Sequence, residues 1–320
     1  MSDRFIIILV LYSLASFAVL LAIGETAIWL LRHQAIRLLE RLRPNDGVIA
    51  HLVVRYLPLV LALILTLLSA VPGYLHAEPM GTQERPGTWL IGLALLGIYA
   101  LIAPIAGVAW LAIRTTAKTK KWARSSVHKQ VFSGFQLFDL DIATPVIVAS
   151  GVFRKSIFLS LSVRALLSAR ELRAALRHEA AHCRQNHNFA KLLAALAPQL
   201  FSVPELLEAS FRETIEYSAD DEACKVPGDA LNLASAVVIL AKQATVNSAS
   251  LLYTALVDAK HSASLERRVE RLVLLKTAAK NSRSTQLAAA YAALLGATAA
   301  SALLPSAQHM FRETLELLVR

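Results

Sequence analysis

The sequence predicts a mainly α-helical membrane protein in which four transmembrane helices carry a smaller α+β domain inserted between the third and the fourth. Three observations predict it. Hydrophobic residues fill 56% of the 320 positions, more apolar mass than a soluble domain of this length needs for its core. Four apolar stretches approach the ~20 residues that a helix needs to cross a bilayer. Between the third and fourth, the pattern changes to short β-branched runs followed by amphipathic helices, as expected of a folded insert.

The first stretch, Phe5 to Leu31, is too long for a signal peptide, carries Glu25 and lacks a cleavage pattern, so it reads as a retained span. The second, Val48 to Ala70, contains His51, Arg55 and Pro58, which should face the bundle or an interface because lipid tolerates such groups poorly. The third runs from Trp89 to Ile113 and the fourth from Leu287 to Leu304. Small residues from Ala288 to Gly296 suit the fourth to close packing against the other three. Charge then orients the bundle. Arg32, Arg37, Arg41 and Arg43 follow the first span, and Arg114, Lys118, Lys120, Lys121, Arg124 and Lys129 follow the third without an acid, so both segments belong on the cytoplasmic side. The loop from Val71 to Thr88 holds Glu78, Glu84 and Arg85 and should face outward. The amino terminus and the short carboxyl tail are then outside and the insert inside. Topology and attraction to anionic lipid account for the formal charge of +10, which leaves nucleic acid without a case as a partner.

Inside the insert, Phe132 to Leu140, Pro145 to Ala149 and Ser156 to Leu161 read as strands of a small sheet, with Ser150-Gly151 as a turn. Ser168-Ala169-Arg170-Glu171 is a capping box that opens a helix from Ala169 to Asn186. Leu172, Ala175, Leu176 and Ala180 form its inward stripe. On this helix His178-Glu179-Ala180-Ala181-His182 places two imidazoles four residues apart, roughly 40° around the axis and one turn along, so that both can meet one metal ion. Glu179, offset by about 100°, is badly placed as a ligand and well placed as a general base. Such a pattern is typical of zinc sites, and a catalytic zinc needs a third protein ligand. The HExxHxxGxxH pattern is excluded by Gln185 and Asn188. His187, on a continuing helix, would lie about 140° from His182 and face away, which points to a surface or ligand-orienting role. Among the downstream acids Glu205, Glu208, Glu213, Glu216 and Glu222, only Glu216 has an aspartate one turn later, Asp220, able to orient a metal-bound histidine. Glu216 is therefore the expected third ligand and Asp220 its support. Cys183 and Cys224 read as small buried residues in a reducing compartment. The apolar run Phe189 to Val203 contains Pro198, ends at Pro204 and is too short to span, so it should lie at the membrane face above the cleft.

The chain resembles gluzincin membrane peptidases, most closely those of the BlaR/MecR type. The likeness rests on the LRxxLRHExxH run from Leu172 to His182, the RxxxEYxAD run from Arg212 to Asp220, and the closing segment Leu265 to Leu272. It covers nearly the whole chain, with sharp motifs only between residues 168 and 225. It implies a gluzincin-type zinc metallopeptidase domain at 114–285, between a three-helix transmembrane region at 1–113 and a fourth helix at 286–304, with a tail at 305–320. It implies one zinc per chain on His178, His182 and Glu216, and a bacterial inner membrane as the location. In the related enzymes an edge strand pairs with extended substrate, and Val146 to Gly151 is the expected edge here. The expected substrate is a cytosolic or membrane-associated protein, such as a repressor, cleaved in regulated proteolysis. An oxyanion partner is expected from His261, Arg267, Arg268 or Arg271. BlaR/MecR receptors continue into a penicillin-binding sensor domain, whereas this sequence ends soon after the fourth span, so their stimulus is not carried over. Two other readings stay open: a noncatalytic membrane receptor or scaffold with a structural zinc, and a housekeeping peptidase for damaged membrane proteins.

Overall fold

A computed structural model of the chain describes residues 3–77, 86–225, 228–243, 253–255, 262–274, 284–306, 309–310 and 313. Helix α1 (Asp3–Leu39) is followed by α2 (Pro44–Leu65), which passes through a π-helical turn at Thr66–Ala70 into α3 (Val71–Ala77), and by α4 (Thr88–Arg124). Three rods, Asp3–Leu39, Pro44–His76 and Thr88–Arg124, are long and apolar enough to cross a membrane. The helix of the third rod does not end at Ile113 but continues through the basic segment to Arg124. α1 packs against both α2 and α4, and glycines set how closely. A Cβ at Gly97 would lie 2.5 Å from the Leu14 carbonyl oxygen, and one at Gly24 would lie 2.9 Å from Pro58 Cβ. Small residues at such crossings let helix backbones approach where no hydrophobic effect drives them together. The outer faces stay apolar, with Ile23, Leu30, Leu95, Ile102, Ile105 and Trp110 all exposed. Exposed apolar surface on that scale marks contact with lipid or a partner.

The insert begins with β1 (Ser126–Phe132) and β2 (Phe135–Leu140), a hairpin closed at Ser133-Gly134, both residues having positive φ (53° and 85°). That turn divides the run expected as one strand from Phe132 to Leu140. Backbones with φ > 0 at both central positions match the right-handed twist of a hairpin. β3 (Ile147–Ser150) and β4 (Ser156–Ser160) follow, and β2 pairs with β4 in parallel. Together with β5 (Tyr253–Ala255) they form a five-stranded sheet in the order β1-β2-β4-β3-β5. The expected edge is corrected here: β3 lies between β4 and β5, paired antiparallel to both, so residues 253–255 already cover it.

Behind the sheet lie α5 (Leu161–Leu166), α6 (Ala169–Arg184), α7 (His187–Leu196), α8 (Glu205–Ala223), α9 (Asp229–Gln243) and α10 (Ser262–Val273). One core joins Leu137, Ile157 and Leu159 of the sheet to Ala175, Leu176 and Ala180 of α6 and Leu233 and Val237 of α9. This confirms the inward stripe at Ala175, Leu176 and Ala180. α7 packs on α2 and α4, and α8 on α2 and α6, so the insert rests directly on the long helices. His51 bonds Ser210 Oγ at 3.1 Å, Arg55 donates to the Ala194 carbonyl at 3.0 Å and to Glu208, and Tyr56 donates to the Leu193 carbonyl at 2.8 Å.

α11 (Ser284–Ala302) falls where the fourth span is expected. Among the described residues it packs mainly on α2 and the π-helical turn, with Ser69 Oγ donating to the Ala302 carbonyl at 2.5 Å. A Cβ at Gly296 would meet nothing within 4 Å, so this glycine does not serve close approach.

Candidate metal centre

α6 starts on a complete capping box: Ser168 N–H donates to Glu171 at 2.9 Å and Glu171 N–H donates to Ser168 Oγ at 3.4 Å. These bonds satisfy backbone donors that an α-helix leaves open at its first turn. Two and a half turns later His178 and His182 point inward, both fully buried at the side chain. α8 crosses behind and brings in Glu216 and, one turn on, Asp220. The nitrogens His178 Nε2 and His182 Nε2 are 2.9 Å apart, and the Glu216 carboxylate oxygens lie 3.3 Å from the first and 3.6 Å from the second. Ligands about 2.0–2.2 Å from a tetrahedral zinc are about 3.3 Å from one another, so the three donors fit one ion. Among the described residues, these are the three that could hold a metal. The side chain of Glu216 keeps 21% exposure against 0% for both histidines, while its Oε2 is buried against them.

The outer nitrogens are also held. His178 Nδ1 lies 2.8 Å from Asp220 Oδ1, the orienting arrangement expected for that aspartate. His182 Nδ1 lies 2.7 Å from His187 Nδ1. That contact corrects the expectation that His187 faces away and the expectation that the helix reaches Asn186. α6 stops at Arg184, and Asn186 adopts a left-handed conformation (φ 58°) that restarts the chain as α7 and turns His187 back onto His182. His187 is 1% exposed, which rules out the surface role.

Glu179 is fully buried. Its Oε2 accepts the Ala149 N–H at 2.5 Å, whereas Oε1 has no hydrogen-bond partner among the described residues. An orphaned carboxylate oxygen beside a cluster of donors fits a site built around a metal and a reacting molecule. β3 is fixed here by Asn188, whose Nδ2 donates to the carbonyls of Ala149 and Gly151 at 3.2 Å each. Nothing in the sequence pattern marks that role of Asn188.

Of the four cationic candidates, Arg268 of α10 reaches the cluster. Its guanidinium donates to both Asp220 oxygens at 2.7 and 2.8 Å and lies 3.0 Å from Glu216 and 3.2 Å from the His178 ring. Arg267 binds Glu213 and Arg271 binds Asp221, while His261 lies outside the described residues. Cys183 and Cys224 are free thiols outside the cluster, and burial pushes both up to about 12.

Electrostatics follow from this packing. Burial raises the Asp220 and Glu216 carboxyls, but the Arg268 charge and the bonds to His178 override it and hold both below the usual carboxylate range. Burial and Arg268 work against protonation of His178, yet its bonds to Asp220 and Glu216 hold it up at about 9. Burial lowers His182 well below its ordinary value and lowers His187 to about 4, so those two are neutral donors or acceptors. Burial pushes Glu179 up to about 8. A metal must therefore displace a proton from His178, as ligand sites generally require. Comparison with known protein families, curated proteins and solved structures finds no match for this chain.

Proposed function

We propose that this chain is a membrane-embedded, zinc-dependent endopeptidase of the gluzincin kind, similar to the BlaR/MecR type, acting in the cytoplasm on a cytosolic or membrane-associated protein. The observation that carries the reading is the convergence of His178 Nε2, His182 Nε2 and the Glu216 carboxylate beside the buried, half-satisfied carboxylate of Glu179. A structural metal site would have no use for that base.

His178, His182 and Glu216 would hold one zinc, which supplies Lewis acidity to polarise a carbonyl and acidify a water. Glu179 takes the proton of the attacking water and returns it to the leaving amine. Burial raises its affinity for protons, which favours uptake of the water proton once the carboxyl is ionised. Asp220 and His187 fix the rings of the two ligands, and Arg268 ties Asp220 and Glu216 of α8 to α10. Two of the residues that would hold the metal and the base thus sit on one helix, α6, and the third would come from α8.

The test compares protein fragments in cells that produce the native chain with cells that produce Glu179→Gln at equal abundance. Fragments that vanish with Glu179→Gln, while the purified variant keeps its metal, support the peptidase. Identical fragment patterns would leave only a noncatalytic metal site.

A further inference from the structure

A cavity of about 410 Å³ lies away from the metal centre, between α1, α2 and the connection from α7 to α8. Its walls include Ile28 and Trp29 of α1, Leu52 and Val54 of α2, and Leu207 and Phe211 of α8. That volume falls in the range of ligand pockets, roughly 300–1,000 Å³. The charged groups on the walls are already bonded within the protein. Glu25 accepts the N–H groups of Leu200 and Phe201 at 2.9 and 2.8 Å, Arg55 donates to the Ala194 carbonyl and Glu208, and His51 bonds the Gly47 carbonyl and Ser210. The walls are mainly methyl, methylene and aromatic surface, with Gln199 and Ser202 as further polar side chains. A second, mainly apolar cleft between α1 and α4 shares Thr26 and Phe201 with the first. Apolar surface thus continues from the cavity onto the outer face of α1, where Ile23, Trp29 and Leu30 are exposed.

We propose that this cavity binds one acyl chain of a bilayer phospholipid. The bilayer is the only apolar phase that α1 and α2 meet if they span, and it adjoins the cavity through the shared surface. A chain entering it exchanges one hydrocarbon environment for another, so it pays no desolvation cost, and it restores dispersion contacts that an open void would forfeit. A polar metabolite would find few partners there, because the charged wall groups Glu25, His51 and Arg55 are engaged within the protein. The occupant would underpin α8 at Leu207 and Phe211. Phe211 precedes the ligand Glu216 by five residues, about 7.5 Å along the axis. The inference rests on the membrane reading and not on the peptidase reading.

The experiment uses the full chain in phosphatidylcholine vesicles doped with phosphatidylcholine that carries a mid-chain diazirine. After illumination, labelled peptides are mapped by mass spectrometry. The expected result is several-fold enrichment of label on residues 25–29, 51–58 and 198–207 over the exposed α4 positions Leu95, Ile102 and Ile105. Val54→Trp, which fills the cavity, should remove that enrichment and leave α4 labelling unchanged. Should Val54→Trp fail to fold, Thr26→Trp at an exposed wall position should give the same loss. Equal labelling of the cavity and α4, or enrichment that survives the tryptophan, would overturn the proposal. None of these readouts depends on metal or on proteolysis.

Discussion

His178 and His182 occupy equivalent places on α6 but are held by different groups, an aspartate for the first and a histidine for the second. Loss of a group that orients a ligand typically costs about 10–100-fold in metal affinity. Asp220→Ala and His187→Ala should therefore each weaken zinc binding by roughly that factor without abolishing it, as measured by competition with a chromogenic chelator. Asp220→Ala should cost more stability, because it also leaves the buried Arg268 without its bidentate partner. Glu179→Gln should retain the metal and lose about 100-fold or more in cleavage rate, since an amide cannot accept the proton. At this scale the sequence was legible wherever helical spacing decides the geometry. His178, Glu179, His182, Glu216 and Asp220 stand where their spacing implies. His187 was not legible, because a single left-handed residue, Asn186, reverses its direction, and an asparagine does not announce that conformation. Arg268 could not be singled out among the arginines of its segment until α10 had a place against α8.

At the scale of elements, α6 depends on its first turn. Ser168→Ala removes one side of the capping box and should destabilise the folded protein by about 0.5–2 kcal/mol, read from chemical unfolding. Glu171 accepts from Ser235 Oγ at 2.5 Å and from Ser168, and these bonds lower its pKa. A depressed folded-state value means that this stabilisation is present above the ordinary carboxylate range and is lost as pH falls through the folded value. Glu171→Gln should accordingly flatten the acid limb of stability against pH. The helices were legible from capping and apolar stripes. The sheet was less so, because its pairing is set by contacts distant in sequence: the Ser133-Gly134 turn leaves most of the expected run as β2 and adds β1 before it, and β5 arrives from about a hundred residues downstream to cover β3. Short strands say little about which neighbour they will take.

For the whole molecule, composition and length foretold four apolar spans, and three helices long and apolar enough to cross a membrane are present among the described residues. That α11 packs mainly on α2 was not foretold, since a small-residue face permits close packing without specifying a partner. The orientation we propose is an expectation from the arginine and lysine asymmetry of the loops. A reporter fused after Lys129 should behave as cytoplasmic and one fused near Gly81 as external, and the reverse pattern would place the metal centre on the other side of the membrane. The joint between bundle and insert is polar and specific, with Arg55, Tyr56 and His51 of α2 bonded to α7 and α8. The proposed peptidase depends on the candidate metal centre at the far end of those two helices. Its most direct test is the metal-to-protein ratio of the purified full chain, measured by elemental analysis alongside Glu216→Ala. The expected result is about one zinc per native chain and almost none in the variant, because two histidines alone cannot match a three-ligand site. A native chain without metal, or a Glu216→Ala chain that keeps a full complement, would contradict it.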